Sequence, residues 1–258
     1  MSNQTPSRAE RLAALRAEVR AIESPSGEET RDCLPFGIDA IDRRLAGGGL
    51  AVPGLHEIAG ASPALSDDAA ATLFLAGIAA RLGGDGTVLW ALSRRDLFAP
   101  GLALAGLRPA RVLYAECRND EEVLAVMEEG LRHRGLDAVV GEVGRAAIAS
   151  TRRLQLASEE GATAALLLKR WRRADEDPLG QPSAALTRWR IAPAPSTPLP
   201  VEGIGRARWH VELARQRGGE MFTLLMEGTD AQGRLALPAE SRDRPDPAHG
   251  AEDKRAAA

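Results

Sequence analysis

The chain has 258 residues, a formal net charge of −3, 44% hydrophobic and 27% charged residues but only 3% aromatics, which suits one domain of ordinary size with an aliphatic core and leaves few platforms for stacking bases. Two distant cysteines, Cys33 and Cys117, and four scattered histidines argue against a zinc site or a disulfide framework and for a reducing cytoplasm. The N-terminus lacks an apolar leader core and no run approaches the ~20 apolar residues needed to cross a bilayer, so the chain is expected to be neither exported nor membrane-spanning.

In chain order, residues 7 to 23 read as an amphipathic helix. Ser7 and Glu10 have capping-box spacing, and Leu12, Leu15, Val19 and Ile22 share a stripe. Ser24-Pro25-Ser26-Gly27 sets that helix apart, so residues 1–29 form a separate helix and linker. The stripe must pack on the domain or on a neighbouring chain. Residues 30–237 are the expected domain. It opens on Leu34 to Asp42, a turn into a short helix whose Ile38, Ile41 and Leu45 face inward, followed by a Gly47-Gly48-Gly49 turn. Leu55 to Ile58 reads as a short strand. Asp67 to Leu82 reads as an Ala-rich helix that Ser66 can cap and Gly83-Gly84 can end. Thr87 to Leu92 and Arg111 to Tyr114 are further strands, and Asn119 with Glu122 caps a helix carrying Val123, Leu124, Met127 and Leu131. Ala138 to Val140, a helix over Arg145 to Ser158, and the apolar run Ala162 to Lys169 complete an alternation that calls for a parallel sheet covered on both faces.

After Trp171 the pattern changes. Arg172 to Pro182 is a polar loop. In Ala185 to Ile191, Trp189 and Ile191 alternate with Arg188 and Arg190; in Arg208 to Ala214, Trp209, Val211 and Leu213 alternate with Arg208, His210 and Glu212; Met221 to Met226 closes the series. These read as antiparallel edge strands with one face in water. Trp189 and Trp209 are expected in the core rather than as base platforms. Residues 238–258, rich in Pro, Asp, Arg and Ala, read as a disordered tail. Arg145 to Gly219 holds thirteen Arg and Lys against seven Asp and Glu, a local +6 that leaves −9 elsewhere. That split suits a polyanion or an acidic partner surface, and equally an Arg-rich composition, since 31 of the 33 basic residues are Arg.

The stretch from Gly47 to Ala79 has the layout of a phosphate-binding loop without its chemistry. A working loop needs Gly-x-x-x-x-Gly-Lys-Ser/Thr after a buried strand, so that bare N–H groups cradle phosphates, the Lys reaches them and the hydroxyl holds Mg²⁺. Counted from Gly60, those last three positions are Leu65, Ser66 and Asp67.

Phe36-Gly37-Ile38-Asp39 before Ala46-Gly47-Gly48-Gly49-Leu50, with a strand running into the loop at Gly60, resembles the core of RecA from about Leu34 to Glu227. Gly-Gly-Gly-Leu followed by Leu55-His56-Glu57-Ile58-Ala59-Gly60, the lysine-free loop and the overall length look most like the ImuA family. The resemblance implies an α/β fold, a RecA-like mainly parallel β-sheet flanked by helices with antiparallel strands at the C-terminal edge. Placed by that resemblance, the water-activating carboxylate becomes Arg94, and the Mg²⁺-supporting Asp becomes Glu142, the one acidic survivor. Loss of the lysine removes a main source of charge stabilisation for phosphoryl transfer, and Asp67 beside a phosphate would cost about 1 to 4 kcal/mol at surface-like dielectric. ATP hydrolysis is therefore not expected, and no nucleotide or metal cofactor is expected.

The family likeness implies a non-catalytic adaptor in SOS-induced mutagenic translesion synthesis. Its implied partners are an ImuB-type Y-family polymerase homologue, an error-prone C-family polymerase subunit, and RecA itself, in the cytoplasm and at the nucleoid when DNA is damaged. The stripe Leu12, Leu15, Val19 and Ile22 is one candidate interface, for a partner or for self-association. The arginines Arg188, Arg190, Arg206 and Arg208 are the other, read either as a rim that meets DNA or a partner's acidic surface, or as the solvent face of an edge sheet. The rival classes are a SulA-like division inhibitor, also SOS-induced and RecA-like, and an active ATPase or recombinase. The latter would need a lysine from Lys169 or Lys254, the only two present.

Overall fold

A computed structural model describes residues 32–238 apart from 197, 198, 200–202 and 204. The helix expected over residues 7 to 23, with Leu12, Leu15, Val19 and Ile22, and the tail from 239 onward lie outside the described residues. Ten strands are present among them: β1 (Asp32–Leu34), β2 (Leu50–Val52), β3 (Gly54–Gly60), β4 (Thr87–Leu92), β5 (Val112–Glu116), β6 (Leu136–Val143), β7 (Ala164–Lys169), β8 (Thr187–Ala194), β9 (Arg208–Gln216) and β10 (Phe222–Glu227). Five helices alternate with them: α1 (Asp39–Asp42), α2 (Leu65–Arg81), α3 (Ala99–Leu104), α4 (Asp120–Arg132) and α5 (Ile148–Gly161). Eight strands form one sheet in the order β10-β9-β8-β3-β7-β6-β4-β5, and β1 with β2 forms a small antiparallel pair that the sequence pattern does not announce. The fold is therefore α/β, mainly parallel, with antiparallel strands at the C-terminal edge.

β8 departs from expectation. It pairs parallel to β3 and antiparallel to β9, so it belongs to the sheet interior and only β9 and β10 form the antiparallel margin.

Two apolar layers flank the sheet. On one side α2 and α3 cover Ile58, Trp90, Val140, Leu166 and Leu168, together with Ile38, Ile41 and Leu45 of the N-terminal turn. Phe36, Phe74, Trp189, Trp209 and Phe222 meet there, with Phe74 and Trp189 centred 5.6 Å apart. Both tryptophans are thus core residues, as their alternation implies. On the other side α4 and α5 cover Leu55, Leu89, Val139, Ala165 and Leu167. No described helix is long and apolar enough to cross a membrane.

Local chemistry sets the element ends. The turn before β2 needs glycine, with φ of 80° at Gly47 and 78° at Gly48. Asn119 caps α4, its side-chain oxygen accepting from Glu122 N at 2.9 Å; Asn119→Ala is expected to lower stability by about 1 kcal/mol in urea titrations. Helix α5 starts three residues later than its sequence suggests, because Gly144 and Arg145 donate their N–H groups to Asp120 Oδ2 at 3.0 and 2.9 Å. Helix α2 starts earlier, at Leu65, with Asp67 and Asp68 both donating to the Ala64 carbonyl. Ser66 is therefore inside the first turn and not its cap.

Candidate functional site

The C-terminal ends of β3, β4, β6 and β7 converge at the loop after Gly60, where open parallel sheets place their ligands. Gly60 is buried, and a Cβ there would lie 3.0 Å from Asp67 C and Asp68 N, so any side chain would have to push the start of α2 back by a few tenths of an ångström. Leu65 is 82% exposed. Asp67 faces inward at 8% exposure in the first helical turn, where the unpaired N–H groups favour an acid. Pro63 removes a backbone donor from the loop itself.

A buried cation stands beside the loop and comes from a distant part of the chain. Arg170, just past β7, directs Nε and Nη2 to Glu142 Oε2 at 3.0 and 2.7 Å, while its Nη1 donates to Asp68 Oδ2 and, at 3.2 Å, to Thr72 Oγ1. Glu142 is 4% exposed, and its other oxygen accepts from the Trp90 indole at 2.7 Å. Both carboxylate oxygens are therefore committed. Glu142 is no solvated strand end, which is the ordinary reading of an acid at that position. Burial opposes the charge on Arg170, but the Glu142 and Asp68 carboxylates outweigh it and hold the guanidinium protonated. Asp68 Oδ1, by contrast, is buried without a hydrogen-bond partner among the described residues. Beside this clamp lies an open cavity of about 220 Å³ lined by Ser93, Arg94, Asp120, Glu142, Arg170 and Arg172. Arg94 pairs with Asp96 at 2.8 Å and Arg172 with Asp120 at 2.7 Å.

A second polar cluster occupies the opposite face of the sheet. Glu57, 1% exposed, accepts from Arg188 Nε and Ser183 Oγ, each at 2.7 Å. Lys169 stands on the same face at 2% exposure and makes no hydrogen bond or ion pair among the described residues. Burial pushes its amine down, opposed by Glu57 and assisted by Arg188.

Of the four arginines read as a rim or a solvent face, Arg188 is buried, and Arg190, Arg206 and Arg208 stay part-exposed. Arg188 is buried at 7% exposure under the segment that ends at Leu186. Arg190 pairs with Asp177 and, at 3.4 Å, with Glu212; Arg206 donates to the Gly228 and Arg234 carbonyls and to Glu227; Arg208 donates to the Pro195 and Ser196 carbonyls. All four guanidiniums fold down onto acceptors of their own chain. Alternation gives their face correctly, but it carries no information about the loop laid across that face.

The residues that organise the site, Arg170, Asp68, Trp90 and Glu57, are ones sequence reasoning passed over. Their signal was present. Lys169-Arg170 closes an apolar run, and His56-Glu57 interrupts a strand otherwise made of Leu, Ile, Ala and Gly.

No family model matches the chain. It is similar to two curated proteins, each named Protein ImuA, from Caulobacter vibrioides strains NA1000 / CB15N and ATCC 19089 / CIP 103742 / CB 15. Each is 38% identical over 209 residues, which cover 77% of this chain and 84% of the relative. Identity at that level, carried across most of both chains, shows that the protein belongs to the ImuA family.

Proposed function

We propose that the chain is an adaptor without nucleotide chemistry in DNA-damage-induced mutagenic translesion synthesis, joining an ImuB-type polymerase homologue to an error-prone replicative polymerase subunit. Family membership supports the setting. The observation that carries the non-catalytic part is the clamp of Arg170 between Glu142 and Asp68. At the place where a phosphate loop offers a free cation and a free carboxylate, this chain ties its own cation to its own carboxylates. Neither group is available to a phosphate or to an attacking water without breaking a buried ion pair, at a cost of several kcal/mol. Function is thereby moved to the surfaces around the loop, and docking replaces catalysis as the mechanism.

Phosphate release from ATP and Mg²⁺ by the purified chain is expected to match a no-protein control. Release above that control, abolished by Glu142→Gln, would overturn the non-catalytic reading. Co-purification with the ImuB-type protein tests the adaptor role, and failure of the two to associate would remove it.

A further inference from the structure

The eight-stranded sheet ends differently at its two margins. At β10 the segment that follows returns to the edge: Glu227 N donates to Ala236 O at 2.8 Å, and Arg206 Nε donates to the Gly228 carbonyl at 2.9 Å. β5 pairs only with β4, and it carries no Lys, Pro or bulge to blunt it, with its one charge, Glu116, at the end. Leu113 is 57% exposed and Tyr114 40%. Phe98 is exposed as well, three residues past Arg95, whose guanidinium pairs with Glu116. Among the described residues, Phe98 and Tyr114 are the exposed rings of an aromatic-poor chain, and rings left in water beside an open strand edge mark a contact surface.

The backbone of that edge says what kind of group it can take. Cys117 N donates to Leu92 O at 2.8 Å, so residues 113, 115 and 117 turn their backbone groups toward β4, and Val112, Tyr114 and Glu116 turn theirs outward. The Val112 N–H is already held by the Pro109 carbonyl. The N–H groups of Tyr114 and Glu116 and the carbonyls of Val112, Tyr114 and Glu116 have no hydrogen-bond partner among the described residues. A further strand is the element that presents donors and acceptors at that spacing. The rest of this chain has no such strand to lend. The apolar positions of residues 1–31, Leu12, Leu15, Val19 and Ile22, have helical rather than alternating spacing, and residues 239–258 contain no Val, Ile, Leu, Met, Phe, Tyr or Trp.

We infer that the free edge of β5 is a homodimer contact, in which two copies of this chain join antiparallel through residues 112–116 into one continuous sheet. A second β5 fits the free groups in register. About a two-fold axis at Tyr114, the two tyrosines exchange both of their N–H···O bonds, and each Glu116 N–H meets the Val112 carbonyl of the other copy. Every free donor of the edge is then answered, and the Val112 N–H, already bonded, is not called on. Tyr114 is the register partner of Trp90, so both tyrosines meet on the face that α2 and α3 cover, while each Leu113 faces Ala115 of the other copy on the opposite face. The same two-fold sets the Arg95–Glu116 end of one copy beside the Asp85–Arg108 end of the other, and each of those is a neutral pair. No like charges are brought together. The dimer does not depend on the adaptor reading, and it gives an adaptor of any kind two copies of each of its other surfaces.

A strand of five residues buries less than a standard interface, so a dissociation constant of about 1–100 μM is expected. Sedimentation equilibrium of the full chain from about 1 to 300 μM spans that range. The chain is expected to pass from monomer to dimer, and the Tyr114 and Glu116 amides to exchange hydrogen about tenfold more slowly at the concentrated end. Tyr114→Lys sets two ammonium groups directly opposite one another and is expected to raise the dissociation constant at least about tenfold. Its thermal melt should match the parent's, since position 114 is exposed. Leu15→Asp/Val19→Asp, which alters the N-terminal stripe, is expected to leave the dimer intact. A monomer at every concentration, a dimer whose β5 amides exchange no more slowly, a dimer that survives Tyr114→Lys, or one lost with the stripe variant would each overturn the proposal.

Discussion

Replacing Arg170 with Met is expected to destabilise the domain by about 3–5 kcal/mol, the range for removing one partner of a buried ion pair. The arginine side chain is 11% exposed and the Glu142 side chain 4%, so neither is rescued by solvent. Methionine retains the length of the aliphatic stem but takes away every donor that reaches Glu142 Oε2, leaving that carboxylate with only the Trp90 indole. Asp68 fares worse, since Oδ1 already lacks a partner among the described residues and Oδ2 loses Arg170 Nη1. Two carboxylates that shared one cation would then face each other across the strand ends. Glu142→Gln in the same chain keeps an oxygen for Trp90 and removes one stranded charge. The Arg170→Met/Glu142→Gln double variant is therefore expected to recover about 2 kcal/mol of the loss, a coupling within the range for residues in direct contact. Urea unfolding of the four proteins of this cycle measures it. A single-variant loss below about 1 kcal/mol, typical of an exposed pair, would show that the clamp is solvated and would remove the main structural support for the non-catalytic reading.

The alternation of short apolar strands and helices was sufficient to read the parallel sheet, because burial on both faces forces continuous apolar runs such as residues 164–168. The inward positions of Ile38, Ile41, Leu45, Trp189 and Trp209 were legible for the same reason. The Leu65-Ser66-Asp67 departure was legible as well, since it is a matter of residue identity at fixed spacing. What the sequence withheld was pairing. Nothing local tells that Arg170 reaches a carboxylate 28 positions back and another 102 positions back, or that Glu57 waits for Arg188, 131 positions on. Each of these contacts is set by strand order, and strand order is a property of the assembled sheet. The same limit explains Arg188, whose strand period is right and whose cover comes from elsewhere in the chain. β8 shows it again: its residues alternate like those of an edge strand, and only its parallel register with β3 reveals that it is internal.

Stability is expected to fall by about 3 kcal/mol from the ionisation of one histidine as pH drops from about 6.5 to about 4. His56 lies on β3 and is fully buried; its Nε2–H donates to the Ala51 carbonyl at 2.9 Å, and its Nδ1 accepts from the Thr187 hydroxyl at 2.8 Å. The direction of the second bond follows from the first: the Ala51 carbonyl can only accept, so the neutral ring carries its proton on Nε2 and leaves Nδ1 to accept the Thr187 hydroxyl hydrogen, while Thr187 Oγ1 accepts the Trp189 indole N–H at 2.7 Å. Only the neutral ring fits that chain of donors. Burial pushes the imidazole from its ordinary 6.5 down to about 4, with the Ala51 carbonyl opposing more weakly. Between those two values the unfolded chain binds a proton that the folded chain does not, so stability rises with pH across the window. It is complete above 6.5 and lost as pH approaches 4. His56→Gln removes the titration while its amide keeps a donor within reach of Ala51. The variant is expected to be less stable at pH 7 by about 1–2 kcal/mol, the cost of an imperfectly replaced buried hydrogen bond, and to lose less on acidification. Every other titrating group is common to both proteins, so subtracting the variant's urea-derived stability from the parent's between pH 4 and pH 7 isolates His56. The difference should shrink toward acid and change sign; two parallel curves would mean that the ring takes up its proton without disturbing Thr187 and Trp189, and that the bond directions assigned here are wrong.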